Sequence, residues 1–339
     1  MMKLSLIIGL CICFFSCTSK QVEERTVQSF GETGKLTPEI CHLPSPIYIP
    51  RYMGVTGDYL YVYKERENKK FVVFKLPEMK YLGEMGSIGQ GPNDFNLLDT
   101  RSFKNTADGF QVVEVGVNLL KKVCLCDSTL YVKSRHSIFN GKVACNGFYD
   151  LGNNKYLTFG GAEDKNEFSL YDLNENSLKP IGRYPQWADL KSGMYPFVIY
   201  MKTCAPHPEG GKIAVFYSRF KRMRIYDGTM QQIQDVKLET IPFDTDFEKK
   251  VDDYPVYYIG QPYATERFIY ALCSLSQTTK HGESELHIWN WDGEPVACYD
   301  LGRKISLMAV SEKHEKIYAL NNEMENEIYI YDLPIMKTK

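Results

Sequence analysis

The sequence predicts an all-β fold, a six-bladed β-propeller with four-stranded antiparallel blades, and three observations support this prediction. Short strand patterns recur along the chain, with a spacing and a number of strands per repeat that are typical of propeller blades. Turns rich in Gly, Asn, Asp or Glu precede these patterns, as in β-hairpins. Aromatic residues make up 13% of the 339 residues, and such side chains favour the pleated, half-buried surface of a sheet.

Residues 58–95 show the repeat most clearly. They contain YLYVYK, FVVFKL and YLGEMG, which are separated by the polar ERENK and by PEM, where proline favours a turn. These patterns form most of one antiparallel meander. The predicted third strand then recurs at 71–76, 120–126, 167–173, 222–228, 285–291 and 327–333. The predicted second strand indicates the same number of blades, with patterns that begin at 59, 110, 155, 212, 267 and 316.

The sixth blade lacks its outermost strand, because only PIMKTK follows the pattern at 327–333. We expect an N-terminal strand to close the ring, since an uncovered edge strand invites aggregation. This strand should lie between Glu24 and Ile40, and VQSF at 27–30 is the candidate. A chain that begins near Lys35 is therefore expected to be less stable than one that begins at Thr18.

The N-terminus has the pattern of an export signal. One early lysine is followed by twelve apolar or small residues from Leu4 to Phe15, and then by Ser16 and Cys17. This run is too short to span a bilayer and is typical of a secretory signal peptide. FFSC resembles a bacterial lipobox, in which the cysteine is lipidated after cleavage. The alternative is an ordinary signal peptide with an incidental cysteine.

These patterns divide the chain into three parts. We predict a signal peptide over residues 1–16, a lipidated N-terminus at Cys17 with a polar tether over 17–26, and the propeller over 27–339. The expected location is the cell envelope, with the lipid holding the protein in the outer membrane.

The charge balance argues against nucleic acid as a partner. The net charge is -2, from 40 basic and 42 acidic residues that form no large block of either sign. A protein that binds nucleic acid usually carries a basic patch or stripe. We therefore expect no nucleic-acid partner.

The cysteines predict neither a disulfide framework nor a zinc site, because their spacing contains no CxxC pair. Cys124 and Cys126 stand two residues apart on a predicted strand and therefore face the same side. With Cys145 they could hold a soft metal, but the favoured interpretation is that all three are buried small hydrophobic residues.

One loop is acidic enough to raise the question of calcium. It carries Asp244, Asp246, Glu248, Asp252 and Asp253, but their order differs from that of a calcium loop. A solvated acidic loop is the favoured interpretation. We expect no metal and no other cofactor.

The long loops should all lie on one face of the disc. In a four-stranded blade, that face carries the loops between blades and the turns between the second and third strands. The long segments of these two classes are 86–96, 185–197, 241–266 and 276–284. Extra loop length on one face of a rigid scaffold usually carries binding. This long-loop face is therefore the predicted binding site.

Two groups of side chains are candidates for binding a ligand there. The cations at the starts of innermost strands would suit a carboxylate or a phosphate: Arg51, Arg101 and Lys202. The alternative is that each cation pairs with a neighbouring acid or reaches solvent. The aromatic residues of the long loops would suit glycans or peptides: Trp187, Tyr195, Tyr254, Tyr257, Tyr258 and Tyr263. The alternative is that these rings pack against blade edges.

No catalytic pattern is recognisable. The six histidines form no HExxH motif, and the chain contains no GxSxG elbow. The glycines of GSIGQGPNDF at 86–95 follow an outer strand with no helix after them, so they indicate a loop with positive φ angles rather than a phosphate site. We expect a non-enzymatic binding module for a peptide, a glycan or a protein. The alternatives are a scaffold in an envelope assembly and a glycan lyase or hydrolase at the channel mouth.

The loop GSIGQGPNDF is similar to the pattern G-x-G-x-GPxEF, with Asp94 in place of glutamate. Together with the lipobox and the six blades, it makes residues 40–333 resemble the TolB-like six-bladed propeller lipoproteins of Bacteroidetes. Residues 205–217 also resemble a turn of TolB-type propellers. The resemblance implies an exported, lipid-anchored propeller with a binding role, and it supplies no catalytic residues. The second N-terminal α/β domain of TolB itself is not recognisable in this chain.

Overall fold

A computed structural model describes residues 22–126, 129–139, 147–159, 165–188, 195–240, 256–274 and 282–335. Within these ranges the chain forms six sheets, which are the blades of the predicted six-bladed β-propeller. The recurring patterns coincide with the second and third strands of every blade. The predicted fold class is therefore confirmed.

Three short strands come first in the chain: β1 (Glu24–Val27), β2 (Glu32–Lys35) and β3 (Glu39–His42). Blade 1 consists of β4 (Pro50–Thr56), β5 (Tyr59–Lys64), β6 (Lys69–Lys75) and β7 (Lys80–Ser87). Blade 2 consists of β8 (Lys104–Thr106), β9 (Gly109–Glu114), β10 (Leu119–Cys126) and β11 (Thr129–Ser137). Blade 3 consists of β12 (Tyr149–Gly152), β13 (Lys155–Phe159), β14 (Phe168–Asp172) and β15 (Ser177–Ile181).

Blade 4 consists of β16 (Lys202–Pro206), β17 (Lys212–Tyr217), β18 (Arg222–Asp227) and β19 (Gln232–Leu238). Blade 5 consists of β20 (Tyr258–Ala264), β21 (Phe268–Ser274), β22 (Ser284–Asn290) and β23 (Pro295–Asp300). Blade 6 consists of β24 (Leu307–Ser311), β25 (Lys316–Leu320), β26 (Glu327–Asp332) and the N-terminal strand β3. The helices of the described residues are a 3-10 turn over Thr100–Ser102 and α1 (Pro196–Ile199). No helix in this part of the chain is long and apolar enough to cross a membrane.

The hydrophobic core lies between neighbouring blades. The middle strands are apolar along most of their length because both faces of a blade are covered. All seven residues of β21, for example, are buried. Across the gap between blades 1 and 2, the rings of Tyr61 and Phe110 stack with their centroids 4.5 Å apart. Burial of such a ring contributes about 1.5–3 kcal/mol, so packing between blades holds the disc together.

An N-terminal strand closes the ring, as predicted, but the choice of VQSF at 27–30 was wrong. The closing strand is β3, which runs antiparallel to β26 and pairs Cys41 with Ile328. Ile40 packs into the core between blades 5 and 6. Only residues 43–49 separate β3 from blade 1. A strand so near the first blade closes the ring with a short connection.

The strands β1 and β2 lengthen two other blades. β1 runs parallel to β19 at the outer edge of blade 4, and β2 runs parallel to β23 at the outer edge of blade 5. Residues 24–42 thus run along the outer edges of blades 4, 5 and 6, and we call them the N-terminal strap. The strap includes residues 24–26, which lie in the predicted tether. Val27 and Phe30 are buried in the core between blades 4 and 5.

Candidate ligand-binding site at the channel mouth

The innermost strands β4, β8, β12, β16, β20 and β24 surround a central channel. At the end where these strands begin, a cavity of about 700 Å³ opens. We call this cavity the channel mouth. Its lining consists of residues 50–51, 100–101, 201–203, 218, 256, 258–260, 304–307 and 321–323. Residues 218 and 321–323 follow second strands of their blades, so the channel mouth lies on the face that carries both classes of long loop.

The structure places all three predicted cations, Arg51, Arg101 and Lys202, in the lining of the channel mouth. They meet there because each stands at or just before the start of an innermost strand. Their surroundings differ, however: the guanidinium groups of Arg51 and Arg101 are exposed, whereas the ammonium group of Lys202 is buried.

Arg51 and Arg101 each have an acidic neighbour and remain accessible. The Arg51 Nε donates to Glu65 Oε2 at 2.5 Å, and its side chain is 47% exposed. The Arg101 Nε lies 3.7 Å from Asp99 Oδ1, and its side chain is 38% exposed. Asp99 is buried, where it also accepts hydrogen bonds from the backbone N–H groups of Arg101 and Gly147. Both guanidinium groups are therefore held in place beside the cavity.

Lys202 is a structural residue in this fold. Its Nζ lies 3.0 Å from Glu167 Oε1 and donates to the Tyr200 carbonyl oxygen at 3.2 Å. Four rings surround the ammonium group, with centroids at 5.0–5.7 Å: Phe159, Phe168, Tyr184 and Tyr217. Burial and the Glu167 carboxylate hold the pKa of Tyr217 well above its usual range. Its hydroxyl therefore stays protonated and donates to Glu167 Oε1 at 2.8 Å.

The predicted aromatic residues do not form one surface. Tyr258 lines the channel mouth but is buried, whereas Tyr195 is 56% exposed at the start of α1. Trp187 packs edge-on against Tyr217, with the guanidinium group of Arg222 4.4 Å from its ring centroid. The contacts of Trp187 match the alternative interpretation, in which this ring packs against a blade edge.

Tyr257 and Tyr263 lie away from the channel mouth. Tyr257 is buried between blades 4 and 5, with the Lys221 ammonium group 4.7 Å from its ring centroid. Tyr263 lines a separate cavity of about 350 Å³ at the opposite end of the channel, where its hydroxyl accepts a hydrogen bond from Asn105 Nδ2 at 3.1 Å. The prediction that Tyr263 lies on the long-loop face was wrong. Strand β20 carries the chain along the channel, from Tyr258 at the channel mouth to Ala264 at the opposite end.

Some predictions concern residues outside the described ranges. These residues are the lipidation candidate Cys17, Tyr254, Cys145 and the acidic loop 244–253. Cys124 and Cys126 do face the same side of β10, with their Sγ atoms 3.3 Å apart.

Sequence reasoning missed part of the lining of the channel mouth. Lys304 lies just before the innermost strand of its blade, β24, as Arg101 lies just before β8. Its Nζ lies 2.6 Å from Glu323 Oε1. The position of Lys304 before a predicted first strand was a usable signal. The hydroxyl and amide groups of the lining had no such signal: Thr203, Ser218, Asn321 and Asn322. Among the described lining residues, Glu323 is the sole carboxylate and no histidine occurs.

No protein-family model matches the chain, and a search of curated proteins finds no significant match. The fold is similar to solved structures. A member of the DUF4221 family from Bacteroides vulgatus is 11% identical, with a TM-score of 0.57 over 88% of this chain and 97% of that chain. A protein from Bacteroides fragilis described as exported is 11% identical, with a TM-score of 0.55 over 93% of this chain and 99% of that chain.

A luciferin-regenerating enzyme is 12% identical, with a TM-score of 0.48 over 89% of this chain and 97% of that chain. Similarity at these levels of identity concerns the fold. The resemblance to TolB-like lipoproteins stays a prediction. This chain is a six-bladed β-propeller whose structural neighbours include DUF4221 and exported proteins of Bacteroides.

Proposed function

We propose that this protein is an exported, lipid-anchored binding module, and that its channel mouth binds an acidic group of a peptide or glycan. One observation carries the proposal. The guanidinium groups of Arg51 and Arg101 border a cavity of about 700 Å³, which is within the size range of ligand sites. Thr203, Asn321 and Asn322 add uncharged donors to the lining.

The preference for an acid follows from the geometry of the arginines. Guanidinium groups match carboxylates and phosphates with two parallel hydrogen bonds. Glu65 accepts a hydrogen bond from the Nε atom of Arg51, and the Arg51 side chain remains 47% exposed. An arginine that is already oriented loses less conformational entropy when a ligand binds.

Export and anchoring are supported by the N-terminal sequence and by one structural neighbour, rather than by the propeller itself. The pattern of residues 1–17 favours a lipidated Cys17, and one structural neighbour is an exported protein. A membrane-bound position in the envelope, as in the TolB-like lipoproteins that the sequence resembles, would present the propeller to peptides or glycans outside the cytoplasm.

Acid–base catalysis has less support. A glycan lyase or hydrolase would need a pair of proton-transfer groups in the channel mouth. The described lining offers one carboxylate, that of Glu323, which is paired with Lys304. This arrangement favours binding over acid–base chemistry.

Isothermal titration calorimetry of residues 18–339 tests the proposal. The probes are an oligogalacturonate and its methyl ester, and an acidic peptide and its amidated form. We expect binding of an acidic member of these pairs, and an affinity lower by about tenfold or more in Arg51→Gln and Arg101→Gln, since hydrogen bonds to charged groups contribute about 1.5–3 kcal/mol. Arg267→Gln is the matched control, because Arg267 is also exposed and lies near a glutamate, 3.8 Å from Glu312, but outside the lining.

Three results would count against this site. Equal affinities for the acidic and neutral probes would show that the arginines do not recognise an acidic group. Unchanged affinities in both arginine variants would place binding elsewhere. An equal loss in Arg267→Gln would indicate a general effect of surface charge.

A further inference from the structure

A second group of reactive side chains lies between blades 4 and 5. Cys273 stands on β21, Glu285 and His287 on β22, and Cys298 on β23. The strand register pairs Cys273 with Glu285 and His287 with Cys298. Residues that are paired across strands, or two apart on one strand, share a face of the sheet. All four side chains therefore lie on one face of blade 5, and Cys273 and Cys298 join the core packed against blade 4.

The distances between these groups suit a metal ion. The ligand atoms of Cys273, Glu285 and His287 all lie within 4.8 Å of one another. His287 Nε2 lies 3.2 Å from Glu285 Oε2, and the Cys298 thiol lies beside the Glu285 carboxyl. Bonds of about 2.0–2.3 Å in a tetrahedron place ligand atoms roughly 3.3–3.8 Å apart. Cys298 lies outside this group of three, but it stands opposite His287 on the same face, so a rotation of its side chain would bring its thiol to the same ion.

Burial and charge also favour a cation here. Cys273 is fully buried and His287 is 1% exposed, so charged groups at this place need compensation. The Lys221 ammonium group lies in the same region, over the ring of Tyr257. With an ion bound, the two thiols would be deprotonated, and the two thiolates and the Glu285 carboxylate would carry three negative charges. A divalent cation and Lys221 balance them.

We propose that Cys273, Glu285, His287 and Cys298 form a structural zinc site. Thiolate and imidazole ligands select zinc over calcium or magnesium, which take oxygen ligands. Four protein ligands close the coordination sphere, as in structural rather than catalytic zinc sites. The ion links β21, β22 and β23 of blade 5. It also stabilises the packing of His287 against Phe30 of the N-terminal strap, whose ring centroid is 4.6 Å away.

Metal titration of residues 18–339 under reducing conditions tests the site. We expect elemental analysis to show a single zinc ion per chain after dialysis, and we expect cobalt to give a thiolate-to-metal charge-transfer band in the absorption spectrum. Both signals should disappear in Cys273→Ser and His287→Gln. Zinc should also raise the melting temperature of the wild type.

Cys124→Ser is the matched control, because Cys124 belongs to the other close pair of thiols and should leave the zinc content unchanged. Glu285→Gln covers the case in which the buried variants fail to fold, since Glu285 is partly exposed. Its zinc affinity should fall by about tenfold or more, with an unchanged circular dichroism spectrum.

The proposal is overturned if the wild type retains no zinc and gives no charge-transfer band. It is also overturned if Cys273→Ser or Glu285→Gln folds and binds zinc as tightly as the wild type. Loss of the band in Cys124→Ser alone would place the metal at Cys124 and Cys126.

Discussion

The ammonium group of Lys202 lies 3.0 Å from the Glu167 carboxylate, and both side chains are almost completely buried where blade 4 meets blade 3. The hydroxyl of Tyr217 donates to the same Glu167 oxygen. Removing two charges from water costs several kcal/mol per ion, so such a pair stabilises the fold only while both partners are present. The pair thus explains why a cation at the start of an innermost strand need not bind a ligand.

Removing one partner of this pair should lower the stability strongly, whereas replacing both partners by apolar residues should lower it less. We expect Lys202→Ala or Glu167→Ala to lower the free energy of unfolding by about 3–5 kcal/mol, because each leaves a buried charge alone. The double variant Lys202→Met/Glu167→Leu should lose less than either. Urea unfolding at pH 7 measures the four proteins. A double variant with the sum of the two single losses would contradict this account.

The N-terminal strap should stabilise the propeller in two unequal steps. A chain that begins at Thr37 loses β1 and β2 together with the buried Val27 and Phe30, whose burial contributes about 1.5–3 kcal/mol each. A chain that begins at Pro44 also loses β3 and opens the ring. Thermal melts should rank residues 18–339 above 37–339, and 37–339 far above 44–339. Equal melting temperatures for the first two would mean that β1 and β2 add no stability.

Asp58 gives one pH-dependent contact between blades 1 and 6. Lys313 donates a hydrogen bond to its carboxylate, and His314 Nε2 lies 3.1 Å from the same oxygen. The Lys313 hydrogen bond, together with the charges of Lys313, Lys75 and His314, lowers the pKa of Asp58. A lowered folded-state pKa means that the stabilisation is present above the unfolded value of about 3.9 and disappears as the pH falls through the folded value.

The expected result is that Asp58→Asn is less stable than the wild type at pH 7 and that this difference shrinks below about pH 3. Urea midpoints at the two pH values measure it. Asp292→Asn is the control, since Asp292 is 80% exposed and lies 4.0 Å from its lysine partner. A difference for Asp58→Asn that stays constant with pH would show that the carboxylate charge is not involved.

A side chain at Gly86 should destabilise the fold. Its φ of 72° lies in the left-handed region, as expected for this loop, whereas Gly91 has no positive φ. A Cβ atom at position 86 would lie 2.9 Å from the buried Phe71 ring. Gly116 has a similar φ of 86° but open space around the added carbon. Gly86→Ala should therefore lose about 1–3 kcal/mol more than Gly116→Ala, as measured by urea unfolding. Equal losses would mean that Phe71 moves without cost.

The sequence by itself determined the number of blades and the middle strands of each blade. These features are local, because the apolar runs at FVVFKL or ELHIWNW and the turns beside them depend on residues close in the chain. The positions of Arg51 and Arg101 at one cavity also followed from the repeat, since equivalent positions in a propeller converge on the channel.

Only the tertiary structure decided which N-terminal strand closes the ring, which cation is buried and which tyrosine faces the channel mouth. The four residues of β3 carry a weak local signal, and their pairing with β26 spans nearly the whole chain. Lys202 is buried by rings from blade 3, which no pattern within blade 4 reveals. Cys273, Glu285 and His287 meet because of the register of two strands, and a shift of one residue would turn one strand's side chains to the opposite face.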